Sequence, residues 1–131
     1  MIKIIVAGAA GRMGCRLVSL IRDSTALTLA GALEGTGHPA LGEDAGETAA
    51  SGRAGIPITD DLSILMERGE VVIDFSAPSA TLEHMRTVAH HRRAMVIGTT
   101  GLSAVQLDEL KSLAQQIPCV FSPNMSVGIN L

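Results

Sequence analysis

Three glycines spaced three residues apart, Gly8, Gly11 and Gly14, follow at once on the apolar run Ile2–Ala7 and lead into a helix-forming segment. That order constrains a fold more than any other stretch of the chain. An apolar strand turns sharply and enters a helix whose first N–H groups have no partner within the helix. Those free donors and the positive end of the helix dipole favour a bound anion. The first glycine permits the turn, the second lets the backbone approach a pyrophosphate, and the third lets helix and strand pack closely. Gly8, Ala9, Ala10, Gly11, Arg12 and Met13 are therefore the candidate phosphate-binding residues. A strand-to-helix turn that binds nothing can carry the same glycines, so the remaining segments decide between the two.

They repeat one pattern. Past the glycines, Met13, Leu17, Leu20 and Ile21 fall at helical spacing and predict one buried stripe, ended at Arg22-Asp23-Ser24. Leu27–Leu33 reads as a second strand with Glu34 at its C-terminal end, twenty residues past Gly14. A dinucleotide-binding unit places its ribose acceptor at that distance. Residues 35–55 carry many glycines and no hydrophobic period, which predicts a long, mobile loop with His38 exposed to solvent in it. Ile56–Thr59 is a short strand, and Asp60 or Asp61 caps a helix with Leu62, Leu65 and Met66 inside, closed by Gly69. Val71–Phe75 is the next strand and Ser76-Ala77-Pro78-Ser79 a turn with proline at a helix start. That helix buries Leu82, Met85 and Ala89 and ends in His90-His91-Arg92-Arg93. Neighbouring histidines do not share a helix face, so this end reads as a solvated cationic terminus rather than a metal or acid–base site. Ala94–Ile97 is a strand, Ser103 with Gln106 a capping box, Leu107, Leu110, Ala114 and Ile117 a buried face, and Cys119–Phe121 the last strand.

Strands alternating with amphipathic helices predict an α/β fold, a Rossmann-type doubly wound parallel sheet in a single domain over residues 1–131. How many strands close the sheet is not legible, and an open edge would expose unpaired backbone and apolar surface. Ligands of such sheets lie beyond the C-terminal strand ends where the strand order reverses, here expected between the first strand and the one ending at Phe75. The net charge of -3 argues against a nucleic-acid or anionic-membrane surface. No apolar run approaches the ~20 residues that span a bilayer. Two cysteines far apart, Cys15 and Cys119, and a start without signal-peptide features fit a reduced, cytoplasmic setting. Cys15 stands in the first turn of a helix, where a thiolate is favoured, but a small space-filling residue beside the glycine loop is the simpler account.

The strand-end segments are polar or glycine-rich as a set: Val6-Ala7-Gly8-Ala9-Ala10-Gly11-Arg12-Met13-Gly14, Leu41-Gly42-Glu43-Asp44-Ala45-Gly46, Asp74-Phe75-Ser76-Ala77-Pro78, Gly98-Thr99-Thr100-Gly101 and Asn124-Met125-Ser126-Val127-Gly128-Ile129-Asn130. Together they resemble the 4-hydroxy-tetrahydrodipicolinate reductase (dihydrodipicolinate reductase) family of lysine and diaminopimelate biosynthesis, along the whole chain. The resemblance implies an NAD(P)H-dependent oxidoreductase that transfers hydride to a cyclic unsaturated imine dicarboxylate. It implies a pyrophosphate on residues 8–13, the adenosine ribose on Glu34, and the nicotinamide among Gly98, Thr99, Thr100, Ser122, Pro123, Asn124 and Met125, with Phe75 packing close to that end.

Two departures qualify what the resemblance implies. Some members carry an arginine after the ribose acid for an NADPH 2′-phosphate; here that place is Gly35, which favours NADH or dual use. The chain is also about half the family's length. Members continue into a substrate and tetramerisation domain with a His-His-x-x-Lys segment, which His90-His91 does not match. No catalytic residue and no metal ligand is therefore named, and the chain alone is expected to bind nucleotide without turnover. The parent is expected to be a homotetramer that meets its small-molecule substrate through the other domain. The alternative is a non-catalytic NAD- or CoA-binding regulatory module of the same architecture.

Overall fold

The computed structural model describes residues 1–121 and 129–130. Seven strands form one sheet: β1 (Ile2–Ala7), β2 (Leu27–Leu33), β3 (Ile58–Thr59), β4 (Val71–Asp74), β5 (Ala94–Ile97), β6 (Cys119–Phe121) and β7 (Ile129–Asn130). Their spatial order is β3-β2-β1-β4-β5-β6-β7, with β1 to β6 parallel and β7 antiparallel to β6. The order reverses between β1 and β4, where Ile4 pairs with Val71 and Ala7 with Asp74. The reversal thus falls where the sequence places it.

Among the described residues, five helices, α1 (Arg12–Asp23), α2 (Ala45–Thr48), α3 (Leu62–Leu65), α4 (Pro78–His90) and α5 (Ala104–Ala114), cover the sheet. Alternation along β1 sends Ile5 and Ala7 to one face and Ile4 and Val6 to the other. The first face packs Leu65, Met66, Met85, Val88 and Leu110 from the region of α3, α4 and α5, and the second packs Val18 and Ile21 of α1 with Ala40 and Ala45. Burial on both faces is why these strands read as continuous apolar runs. The second face is thinner over β4–β6, where Val71, Ile73 and Val96 are only half-buried and Val120 is 38% exposed. The under-covered apolar surface therefore lies on a sheet face rather than on the edge beyond β6, which β7 pairs.

Several expectations change in detail. The buried stripe of α1 is Gly14, Val18 and Ile21, while Leu20 is 62% exposed. Close packing at Gly14 rotates the helix so that Leu20 faces solvent. Residues 35–55 are not a loose loop: they hold α2, and the Asp44 carboxylate accepts N–H groups from Glu47, Ala54, Gly55 and Ile56. His38 is half-buried there, its Nδ1 accepting the Ala40 N–H. Asp61, not Asp60, caps α3. Strand β3 keeps only Ile58–Thr59, because Pro57 has no N–H for the ladder. Phe75 stands just beyond β4 rather than inside it. The Ser103–Gln106 capping box and Pro78 at the first turn of α4 form as predicted.

Candidate functional site

The C-terminal strand ends meet at one edge. Gly8 adopts a left-handed φ of +83°, and a Cβ there would stand 2.8 Å from the Phe75 carbonyl oxygen. A Cβ at Gly14 would overlap the Gly8 carbonyl, so no other residue lets α1 lie this close to β1. The Gly8 and Ala9 N–H groups both donate to the Leu33 carbonyl, fixing the loop to the end of β2. Gly11 is the N-cap of α1 and supplies no side-chain acceptor, and the first turn holds no acid but Arg12. The opening turn of α1 therefore presents uncapped N–H groups and a cation to an incoming anion.

Glu34 closes one side. Its Oε2 accepts the Ala10 N–H at 2.8 Å, and its Oε1 lies 3.9 Å from His38 Nε2. The acid at the end of β2 is thus held against the glycine loop, with acceptor capacity left for a diol. An open cleft of about 450 Å³ extends from there, lined among others by Glu34, Asp60, Asp61, Glu83 and His84. Four carboxylates line this cleft, Glu34, Asp60, Asp61 and Glu83, and disfavour a second anion in it.

On the other side of the reversal, Phe75 lies with its ring edge directly on Gly98. Thr99, two residues past β5, is buried and its hydroxyl is 2.7 Å from that of Thr81. Thr100 is exposed. The predicted residues Gly8–Met13, Glu34, Phe75 and Gly98–Thr100 thus share one edge. Thr99 turns its side chain inward, so only its backbone is offered to a ligand. Ser122, Pro123, Asn124 and Met125 lie outside the described residues.

Beneath this edge lies a group that sequence reading missed. Asp74, the last residue of β4, is fully buried; its Oδ2 is 2.7 Å from His84 Nδ1, and its Oδ1 accepts the Ser76 N–H and hydroxyl. The Ser76 hydroxyl is 3.4 Å from that of Thr81, which leads on to Thr99. Among the described residues no buried side-chain polar atom is left without a partner. An acid ending an apolar strand, and a threonine with a histidine three residues later on a helix's inner side, were the signals available.

The remaining candidates behave as solvated or structural groups. His90 and His91 stack edge-to-face at 5.3 Å, His91 Nδ1 donates to the Thr87 carbonyl, and Arg93 Nε donates to the Met66 carbonyl. Among the described residues no three His, Cys, Asp or Glu side chains are placed to hold a metal, and no helix is long and apolar enough to cross a membrane. Burial and the nearby Glu34 charge push the Cys15 thiol up, against the effect of its helix position.

A family model described as "Dihydrodipicolinate reductase, N-terminus" matches residues 2–125. The chain is 45% identical over its full length to the 4-hydroxy-tetrahydrodipicolinate reductase of Syntrophus aciditrophicus and 41% identical to that of Citrifermentans bemidjiense, covering 49% of each. It therefore spans about half the length of the curated relatives it matches. Among solved structures, the dipicolinate-bound dihydrodipicolinate reductase of Paenisporosarcina sp. TG-14 superposes with a TM-score of 0.75 at 23% identity, over 96% of this chain and 48% of that one. The amine dehydrogenase of Mycobacterium smegmatis does so with a TM-score of 0.71 at 19% identity, over 92% and 38%. At these identities the superpositions speak for the fold alone.

Proposed function

Because the chain belongs to the dihydrodipicolinate reductase family, as its N-terminal part, we propose that it is the nicotinamide-dinucleotide-binding half of a reductase. The observation that carries this reading is the pairing of an uncapped α1 with Glu34, whose carboxylate is bonded to Ala10 beside an open cleft at the strand-order reversal. The donor set fits the cofactor: the turn of residues 8–13 for the pyrophosphate, through the free N–H groups of Arg12 and Met13 and the Arg12 side chain, Glu34 for the adenosine ribose, and the cleft beyond it for the base. Gly98–Thr100, with Phe75 behind Gly98, is where a flat ring would rest, and Ser122–Met125 are proposed to complete that end.

When bound, the reduced nicotinamide supplies a hydride. What these residues contribute is binding and orientation: the free N–H groups opening α1 and the Arg12 cation offset the phosphate charge, Glu34 sets the ribose, and the Phe75–Gly98 wall limits how deep the ring sits. The acceptor proposed for the whole protein is a cyclic unsaturated imine dicarboxylate, held and protonated by residues of a second domain through which the parent assembles as a tetramer. The two unpaired thiols suit a reduced, cytoplasmic compartment. No catalytic residue is assigned within this chain. The family match lends no support to a non-catalytic regulatory module.

We further propose NADH, or dual use, over strict NADPH dependence. Gly35 offers no cation beside the ribose, and Glu34, Asp60, Asp61 and Glu83 present only negative charge to a 2′-phosphate. Titration of the chain with NADH and NADPH, followed by the nucleotide's own fluorescence, is expected to show tighter binding of NADH and no reductase turnover. Failure of both nucleotides to bind at millimolar concentration, with CoA binding instead, overturns the reading.

A further inference from the structure

The Asp74–His84–Ser76–Thr81–Thr99 group joins two places that the nucleotide reading treats separately. His84 lines the cleft beside Glu34, and Thr99 sits in the turn where the nicotinamide would rest. We propose that His84 and Thr99 are coupled positioning residues, so that a ligand seated against His84 in the cleft sets the geometry of the Gly98–Thr100 turn. The inference rests on the reading of this edge as a dinucleotide site and goes beyond it.

The coupling follows from how the donors are committed. Asp74 is 0% exposed, and an unpaired carboxylate there would be costly, so its acceptors hold their donors tightly. One oxygen faces His84 Nδ1 at 2.7 Å and the other takes both protons that Ser76 can give. With its hydroxyl proton spent on Asp74, Ser76 can only accept from Thr81, and the Thr81 and Thr99 hydroxyls share one hydrogen bond, with the Thr99 hydroxyl also 3.5 Å from the Ser76 carbonyl. Thr81 and His84 lie three apart on α4 and so face the same side of it. A small rotation of α4 at His84 moves Thr81 with it, and Thr99 must follow or exchange its 2.7 Å bond to Thr81 for the longer one to the Ser76 carbonyl. The remaining ring nitrogen of His84 is the group left to meet a ligand in the cleft, while the Phe75 ring on Gly98 restrains the turn from the other side.

Two nucleotides and four variants, three single and one double, test this in the full chain. AMP reaches only the cleft and the glycine loop, whereas NADH also reaches the turn. Thr99→Val is expected to lower NADH affinity about fivefold and leave AMP affinity unchanged, and Thr99→Ser, which keeps the hydroxyl, to restore it. His84→Gln is expected to lower NADH affinity more than AMP affinity, because it loosens the turn as well as the cleft. The double variant is expected to bind NADH no more than about twofold worse than the weaker single variant, since both act through one network. Asp74 is left in place, as its loss would leave His84 and Ser76 unpaired under the sheet edge. Equal losses of AMP and NADH in His84→Gln, or fully additive effects in the double variant, overturn the coupling and leave the nucleotide site standing. Absence of any nucleotide binding by the unaltered chain overturns the site reading and the coupling with it.

Discussion

The Glu34 carboxylate accepts the backbone N–H of Ala10 at 2.8 Å, so the acid that ends one strand is bonded to the middle of the loop that ends its neighbour. One side chain thereby shapes the phosphate loop and offers the ribose acceptor. Glu34→Ala should weaken NADH at least about tenfold, the scale of losing a charged hydrogen-bond acceptor. It should weaken NADPH less, since it also removes a repulsion. Parallel fluorescence titrations check this, and equal losses for the two nucleotides would contradict it.

Gly35 has open space around the position of a Cβ. Gly35→Arg should therefore be tolerated by the fold and move preference towards NADPH, because a guanidinium beside the ribose can pair with a 2′-phosphate. The ratio of the two dissociation constants is the measurement, and an unchanged ratio would count against the acidic-wall argument.

Gly14→Ala tests the closeness of α1 to β1. The added methyl would overlap the Gly8 carbonyl, so backbone must shift. A loss of about 2–3 kcal/mol in urea unfolding is expected, the upper part of the range for overpacking.

Asp44 organises the segment before β3. Backbone N–H groups, that of Ala54 foremost and those of Glu47, Ile56 and Gly55 with it, hold its carboxyl down at about 2, below the ordinary 3.8. A carboxyl depressed by folding stabilises the native state above its unfolded value, and that gain is lost as pH falls through the folded one. Asp44→Asn should lower the melting temperature at pH 7, and its deficit against the unaltered chain should shrink between pH 4 and pH 2. A deficit that stays constant over this window would show that the charge is not what matters.

Both thiols should be sluggish. Burial pushes Cys119 up to about 11, and burial with the Glu34 charge pushes Cys15 up as well. At pH 8 a disulfide reagent should label the folded chain at least about tenfold more slowly than the urea-unfolded chain. Rapid labelling of one thiol in the folded state would single out a reactive Cys15.

What the sequence made legible was whatever local pattern encodes. The turn at the three glycines, the Ser103–Gln106 box and Pro78 at a helix start depend on neighbours a few residues away, and each formed as read, while the acid at the end of β2 was found by its fixed spacing from Gly14. Leu20 misled because a helical stripe has two plausible phases, and the close approach at Gly14 chose the other. Residues 35–55 looked loose because their order comes from one carboxylate binding donors up to twelve positions ahead, a pattern without a period. The association of Asp74 and Thr99, each read only within its own strand-end segment, with Thr81 and His84 stayed hidden for the same reason at longer range: only strand order brings the four together.

The seam between β1 and β4 has a consequence for how the molecule comes into being. Ile4 and Val71 belong to opposite halves of the described chain, and pairing them closes a long loop before the contacts that reward closure exist. Glu34 reaches the cleft from one side of that seam and His84 from the other. The cleft is therefore complete only once β1 and β4 have paired, so a nucleotide that needs both walls binds the molecule with that long loop already closed.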